Sequence, residues 1–356
     1  MKYKSAFLSL SLFLACCCLA AALPACTLAP EEGERESMER AAAVLETGQN
    51  IFREELEEDI ARLEKAAARG SAEAAILLLR IYSSPSLADL LRIPPNSCFE
   101  ANALNMLKRL GERGDLAAQS YLADYFLSQE TRERAPENLR QYFYWTRLAA
   151  GQGDLPAMGQ LGYLYLNGCG VERDEEQGFQ WSLAAARQGQ PAARFNTAYC
   201  YYLGKGVEVN YPRAIYWLEQ ANLSGFARAR RALAELYISA PPPYRDYHKA
   251  FLLYEEEEAA TGSVEAMAGL GAAYEHGRGV KRDYRQAARC YEKASRRFRD
   301  LGNYHLSPLY HDMAERMYEM GREVDKDGDA ALGRRKAAVD KNDNDAKAAP
   351  RRLKAE

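Results

Sequence analysis

Small and apolar residues recur along this chain at intervals of four, in segments a few helical turns long. The segment that starts at Ala157 continues with Leu161 and Tyr165, which share one face of a helix turning about 100° per residue. A second segment follows the first one and carries Trp181 and Ala185. The pattern predicts pairs of short amphipathic helices.

The pattern returns with a nearly fixed period. Trp145, Trp181 and Trp217 lie at intervals of 36 residues, and a period of this length marks an array of helical units, each too small to bury a core alone. The array predicts helices at 38–73, six repeats over 74–301 and a capping helix at 302–321.

A glycine-rich turn joins the two helices of each regular unit. Gly168 and Gly170 tolerate the positive φ that a tight turn needs, and Val171 fills the gap between the helices. Asp174 stands where an N-cap residue accepts hydrogen bonds from the second helix. Later units repeat the arrangement with Gly204, Gly206, Val207 and Asn210, and with Gly277, Gly279, Val280 and Asp283.

These columns resemble the Sel-one-like repeat (SLR), a relative of the tetratricopeptide repeat, over about two-thirds of the chain. The resemblance implies an all-α fold, a right-handed superhelical solenoid of antiparallel helix pairs whose first helices line a concave groove. SLR proteins act as adaptors in protein complexes, and bacterial ones often work at the cell envelope. The resemblance therefore implies a protein-interaction scaffold that captures a protein or peptide on its concave face.

Aromatic residues outside the core columns indicate where a partner would bind. If positions 1, 5 and 9 of a first helix face the core, positions 3, 7 and 10 lie roughly opposite. Exposed aromatic clusters of this kind are typical of recognition surfaces. In the alternative, the aromatic side chains fill the inner curve between neighbouring first helices. The predicted partner-binding residues are Tyr163, Leu166, Phe195, Tyr199 and Tyr202, with Arg194 and Arg231 at the edge.

The first residues have the pattern of an export signal. Lys2 and Lys4 precede an uncharged apolar run at 6–23, which is typical of a secretory leader. The run ends in Leu-Pro-Ala-Cys and resembles a bacterial lipobox, from which Pro24 departs because that position usually carries a small or short aliphatic residue. Cys16 competes as the acylated residue, but cleavage there would leave an apolar overhang. Ordinary signal cleavage is the other alternative.

The lipobox resemblance implies a signal peptide at 1–25, lipidation of Cys26 and an acidic tether at 26–37. An acylated N-terminus would hold the protein on a membrane. Thr27 follows the cysteine where an aspartate would favour the inner membrane, by resemblance to enterobacterial sorting. We therefore expect an exported protein, lipid-anchored in the bacterial cell envelope at the outer membrane and facing the periplasm.

Four cysteines remain beyond the predicted anchor, and export would place them in an oxidising compartment. Cys169 occupies the turn of one unit, and Cys200 ends the first helix of the next. These places can be neighbours in a stacked array, so this pair is a candidate disulfide. Two free thiols, with Cys200 semi-buried, are the alternative.

Composition and motifs argue against several classes of function. A formal net charge of −3 gives no basis for nucleic-acid binding, and no catalytic, phosphate-binding or metal-protease motif is present. The acidic stretch at 325–329 begins like a calcium-binding EF-hand loop, but it lacks the glycine and the final glutamate. We expect no enzyme activity, no metal and no small-molecule cofactor, and a disordered charged tail at 322–356. The alternative function is a periplasmic protein or enzyme that recognises peptidoglycan or β-lactams.

Overall fold

A computed structural model describes residues 32–47, 52–93, 98–133 and 135–320. Most of the described chain is helical. The predicted leader, Cys26 and the predicted tail at 322–356 lie outside the described residues. The helices are α1 (Glu32–Thr47), α2 (Arg53–Ala68), α3 (Ala72–Tyr82), α4 (Pro85–Leu90), α5 (Phe99–Glu112), α6 (Leu116–Glu133), α7 (Pro136–Gly151), α8 (Leu155–Asn167), α9 (Glu175–Arg187), α10 (Pro191–Leu203), α11 (Tyr211–Leu223), α12 (Ala227–Ser239), α13 (Tyr247–Thr261), α14 (Val264–His276), α15 (Tyr284–Asp300) and α16 (Leu306–Met320).

Within each unit most consecutive helices pack against each other, and no strand occurs in the part of the chain that the structure describes. The predicted all-α solenoid of helix pairs is therefore confirmed. The contacts divide the chain into a first unit, Met1–Asn210, and a second unit, Tyr211–Glu356. The first unit contains α1–α10 and the second contains α11–α16.

The helical array begins earlier than the sequence pattern indicates. Helix α1 starts at Glu32, inside the segment 26–37 that the sequence predicts as a tether. Its first turns are held by tertiary contacts, because Ser37 is buried and its hydroxyl both donates to the Gly33 carbonyl and accepts from Arg62. Such contacts depend on α2 and cannot be read from the acidic composition of the segment.

The turns between paired helices follow the predicted chemistry. Gly168 ends α8 in the left-handed conformation at φ 69°, and the Asp174 side chain caps α9 by accepting from the backbone N–H of Gln177 at 2.9 Å. The Asp174 N–H in turn donates to the Tyr165 carbonyl at 3.0 Å. The same closure joins Asp246 to Tyr237 at 2.9 Å across the proline-rich turn. The cap and the closure therefore tolerate different turn sequences.

The second glycine of the turn is required by the neighbouring repeat. A Cβ added at Gly170 would lie 2.1 Å from the carbonyl oxygen of Leu139 in α7. A Cβ at Gly279 would lie 2.1 Å from the carbonyl oxygen of Tyr247 in α13. The turn of one repeat thus rests on the start of the preceding second helix, and only glycine leaves room for that contact.

An aromatic column joins successive repeats. The ring of Phe143 in α7 meets Tyr165 in α8 edge to face, with centroids 5.3 Å apart. The pair of Phe179 and Tyr201 repeats this geometry at 5.2 Å in the first unit, and Phe251 with Tyr274 repeats it at 5.4 Å in the second. An edge-to-face aromatic pair stabilises the fold by more than the burial of its apolar area alone. The phenylalanine partners form a column that the sequence analysis did not identify.

Candidate functional site

Position 7 of two first helices carries an exposed aromatic side chain. Tyr163 on α8 and Tyr199 on α10 hold this position, and their side chains are 52% and 45% exposed. Both helices have few charges: α8 contains no Asp, Glu, Lys or Arg, and α10 contains only Arg194. Two large aromatic side chains in the same register therefore stand on a nearly uncharged surface.

Aromatic neighbours flank Tyr199 on both sides. Its ring stacks on Phe195 with centroids 6.1 Å apart and meets Tyr202 at 6.4 Å. Lys205, in the turn after α10, places its ammonium 5.8 Å from the centroid of the Tyr199 ring. Phe195 and Tyr202 are half-buried, so they fix the orientation of Tyr199 while contributing part of their own surface. We refer to Tyr163, Phe195, Tyr199 and Tyr202 as the aromatic face.

Leu166 does not belong to the aromatic face, although the sequence analysis placed it there. Its side chain is only 7% exposed. A Cβ added at Gly178 of α9 would lie 2.7 Å from the Leu166 Cγ, so Leu166 packs into the space that this glycine leaves. A first helix contacts both its own second helix and its neighbours, and the arc open to solvent is therefore narrower than a helical wheel suggests.

The two predicted arginines have different surroundings. Arg194 is half-buried and reaches back over the preceding turn, where a Cβ at Gly189 would lie 3.5 Å from its Nη2. Arg231 belongs to the second unit, whereas the aromatic face belongs to the first. Its guanidinium forms ion pairs with Glu265 at 3.4 Å and Glu235 at 3.9 Å. Arg231 therefore has carboxylate partners within its own unit.

Cys169 and Cys200 are free thiols in the structure, and the candidate disulfide between them is not formed. Cys169 is half-buried and packs against the core of the preceding repeats, whereas Cys200 is fully buried within α10. Burial raises the pKa of Cys200 to about 12 and also raises the pKa of Cys169. Both groups are therefore protonated and poorly reactive near neutral pH.

An exposed carboxylate that the sequence analysis did not identify occupies the same register position on another first helix of the first unit. Asp124 holds position 7 of α6, in the register of Tyr163 and Tyr199, and it is exposed. Partial burial of the Asp124 carboxyl group raises its pKa, and the negative charge of Asp154 raises the pKa further. The signal that could have found Asp124 is its register, six residues after Ala118, as Tyr163 follows Ala157.

The charge of this carboxylate acts on two tyrosines. Burial, then the charge of Asp124, raises the pKa of Tyr142 to about 12, and Tyr163 contributes to the same shift. Burial also raises the pKa of the half-buried Tyr121 on α6, which Asp124 raises further and Arg80 lowers. Tyr142 therefore interacts electrostatically with both Asp124 and Tyr163.

In residues 32–47, 52–93, 98–133 and 135–320, no group of three or more His, Cys, Asp or Glu side chains could hold a metal ion. Within the same ranges, no helix combines the length and the apolar character needed to cross a membrane.

Solved structures share this fold. A protective antigen present in uropathogenic Escherichia coli strains, described as displaying an SLR fold, aligns with a TM-score of 0.59 and 22% identity. The alignment covers 80% of this chain and 57% of the antigen, so this chain spans little more than half of that protein's length. A Sel1 repeat protein from Oxalobacter formigenes aligns at 22% identity with a TM-score of 0.47, over 78% of this chain and 86% of that one. At this identity the first likeness supports the fold alone.

The sequence itself matches the Sel1 repeat family over more than half of its length. The matched residues are 116–154, 155–190, 191–226, 227–256, 264–297 and 308–333. The starts at 155 and 191 coincide with the starts of α8 and α10, so the family's repeat unit is the helix pair seen in the structure. The chain therefore belongs to the Sel1 repeat family.

Proposed function

We propose that this protein is a cell-envelope scaffold that captures a protein or peptide partner on the aromatic face of its first unit. Sel1 repeat proteins are generally protein-interaction scaffolds, and their fold is typically non-catalytic. The proposal adds two points to this general role: the capture of a partner on the aromatic face, and a location in the cell envelope.

The observation that carries the proposal is the shared register of Tyr163 and Tyr199. Both side chains are about half exposed, although the burial of a large aromatic group away from water is energetically favourable. The helices that carry them have almost no charge to keep a partner's apolar surface away. Aromatic anchors held in place by neighbours are typical of binding hot spots, and Phe195 and Tyr202 hold Tyr199 in this way.

The test compares two variants of the full chain in the native host. A photoreactive amino acid at Tyr163 should crosslink a discrete partner, and the double variant Tyr199→Ala, Tyr202→Ala should remove that crosslink. The melting temperature of the double variant should stay close to that of the wild type, because both residues retain part of their surface in water. Binding and stability are thereby measured on the same protein.

The matched control is Tyr216→Ala. Tyr216 is 51% exposed on the second helix α11, so its removal changes an exposed tyrosine of similar accessibility away from the aromatic face. The crosslink should survive this change. If the double variant loses stability to the same extent as it loses the crosslink, the aromatic side chains are structural and the proposal fails. Hydrolysis of a chromogenic β-lactam by the purified chain would favour the alternative function.

The envelope location rests on the N-terminal sequence. Lipidation at Cys26, after a leader at 1–25, would place the repeats on the periplasmic side of an outer membrane. A Cys26→Ala variant should lose incorporation of labelled palmitate and move from the membrane fraction to the soluble periplasmic fraction. Palmitate labelling that survives Cys26→Ala would point to another cysteine, with Cys16 as the first to test.

A further inference from the structure

We propose that the end of α15 and the loop after it bind the surface of an anionic lipid bilayer. This surface is separate from the aromatic face, because all of its residues lie in the second unit. Three features support the assignment: the positive charge of α15, the arrangement of its cations, and exposed apolar side chains beside them.

Positive charge is concentrated in the segment 278–300, although the whole chain has a net charge of −3. The segment contains nine Arg and Lys residues but only three Asp and Glu residues, which leaves six positive charges. A basic region on an otherwise acidic protein attracts anionic surfaces. The average charge of the chain therefore conceals a strongly basic repeat.

The cations of α15 form a stripe along the exposed side of the helix. Four of them lie within about 80° of one another on a helix that turns about 100° per residue. They are Arg285, Arg289, Lys293 and Arg296, and all four are exposed. Tyr291 and Ala294 on the opposite side are buried. The stripe extends about 16 Å along the helix axis, so it matches an extended negative surface better than a single carboxylate.

Two of the arginines have no internal counter-charge. Lys293 pairs with Glu258 of α13 at 2.8 Å, and Arg296 pairs with Glu292 at 3.2 Å. In the part of the chain that the structure describes, no ion pair includes Arg289 or Arg297. Both are exposed, so their guanidinium groups can reach phosphate groups, which arginine binds through two parallel hydrogen bonds.

The end of α15 departs from the regular repeat. The second helices α9 and α11 each contain 13 residues, whereas α15 contains 17. Because α9 and α15 both begin directly after an aspartate cap, the extra turn of α15 is at its C-terminal end and comprises residues 297–300. The connection to the next helix is also longer, at 301–305 against 188–190 after α9. The helix pairs of other repeats do not need this extension.

Apolar side chains are exposed directly after the basic turn. Leu301 is 61% exposed and Tyr304 is 57% exposed. Leu306 and Leu309, in the first turn of α16, are exposed as well. The Leu301 N–H donates to the Arg297 carbonyl at 3.1 Å, so Leu301 follows Arg297 by one helical turn on the same side of α15. An exposed apolar patch beside charged groups is typical of an interaction site.

Aliphatic side chains favour a bilayer over other anionic partners. Nucleic acids also offer phosphates, but proteins bind their bases by stacking on aromatic rings and by hydrogen bonds, for which Leu301, Leu306 and Leu309 are unsuited. A bilayer offers phosphates and hydrocarbon at the same surface. The arginines would stay among the headgroups while the leucines enter the region below them.

The first test replaces Leu301 of the full chain with a photoreactive amino acid in the native host. We expect a phospholipid adduct, identified by mass spectrometry of the peptide that contains residue 301. The matched control is the same replacement at Leu223, which is exposed at the end of α11 and has no basic stripe beside it. This position should give no lipid adduct. A protein adduct at residue 301, no adduct there, or equal lipid adducts at both positions would overturn the proposal.

The second test measures binding of the purified full chain to phosphatidylcholine vesicles with and without phosphatidylglycerol. Binding to the anionic vesicles should be stronger and should weaken as salt is added, because salt screens the charges. The double variant Arg289→Gln, Arg297→Gln should bind them more weakly by about fivefold for each charge removed. Arg289→Lys with Arg297→Lys should retain binding. The N-terminal segment is the same in every variant, so the differences report on α15.

The matched control for charge is Arg187→Gln with Arg228→Gln. Both arginines are exposed and lie on α9 and α12, so the two double variants have the same net charge. The control should bind vesicles like the wild type, and an equal loss in both would refute a site on α15. Exposed positions contribute little to stability, so melting temperatures should stay close to that of the wild type. Should the α15 variant melt earlier, Leu301→Asp decides, and unchanged vesicle binding in that variant would overturn the proposal.

Discussion

The first helices of the two units share their core columns but differ in what they expose. In the first unit, α8 and α10 present Tyr163 and Tyr199 on surfaces that are almost free of charge. In the second unit, α12 has Glu235 at the same position and carries Arg230 and Arg231 beside it. The repeat therefore keeps one packing scheme while its exposed face changes from aromatic to ionic.

Arg230 and Arg231 of α12 have carboxylate partners within the second unit. Arg230 lies 3.5 Å from Glu257 of α13, and Arg231 lies 3.4 Å from Glu265 of α14. These ion pairs connect neighbouring helices across their surfaces. The comparison teaches that the exposed columns of this array vary independently of the core.

The largest effect should come from the turn glycines, which both units need equally. In Gly170→Ala and Gly279→Ala the new methyl group would meet a backbone carbonyl of the preceding second helix, on a residue that also has positive φ. We expect each change to lower the free energy of unfolding by about 3 kcal/mol, measured by urea denaturation.

Gly153→Ala provides the control for the backbone strain alone. Gly153 has φ 87° but no atom within contact distance of an added Cβ, so its replacement should cost about 1 kcal/mol. Equal losses for Gly153→Ala and Gly170→Ala would mean that the contact between repeats adds nothing. A loss confined to one unit would break the equivalence of the two packing schemes.

A smaller effect should come from the helix caps, which also recur in both units. Asp174→Ala and Asp283→Ala remove side chains that accept from the first turn of α9 and α15, and each should cost about 1 kcal/mol. Denaturant melts of the two variants would measure this. A cost in one unit only would show that the cap is not a shared element.

The Asp174 cap should also depend on pH. Hydrogen bonds from the backbone N–H and side chain of Gln177 lower the pKa of Asp174. A lowered pKa in the folded state stabilises the protein above the unfolded value of about 3.9. The stability difference between wild type and Asp174→Ala should thus be complete at neutral pH and shrink as the pH falls below about 4. Asp174→Asn, which can cap without charge, should show no such shrinkage.

Local features of this fold could be predicted from the sequence, because spacing alone determines them. The paired helices, the glycine turns and the caps at Asp174 and Asp283 were predicted from columns within one repeat, and the structure confirms them. Contacts between repeats could not be predicted in this way. The phenylalanine column packs on the following repeat. Side-chain packing within a repeat could not be predicted either, since Leu166 fills a space left by Gly178 on the second helix of its own repeat.

The last repeat of the array is another feature that the sequence analysis did not identify. The family match extends to 308–333, where Gly321, Val324 and Asp327 repeat the spacing of Gly277, Val280 and Asp283. The second turn glycine is replaced by Glu323 and no tryptophan follows, so the sequence analysis predicts a capping helix at 302–321 and a disordered tail at 322–356 instead of a further repeat. Residues 321–333 lie outside the described residues. The family match identifies this last repeat, and its spacing from the preceding repeat could have identified it from the sequence alone.

The smallest effect should come from the exposed ion pairs that distinguish the second unit. Arg231→Gln removes the pairs to Glu235 and Glu265, but these groups are partly exposed, and exposed pairs contribute about 0.5 kcal/mol. The loss should be measurable by denaturation at low ionic strength and should vanish at high salt. Arg228→Gln, on the same helix and exposed, should have no effect at either salt concentration. A large, salt-independent loss in Arg231→Gln would mean that the charges of α12 are part of its core packing, and the contrast between an aromatic face in the first unit and an internally matched ionic face in the second would then disappear.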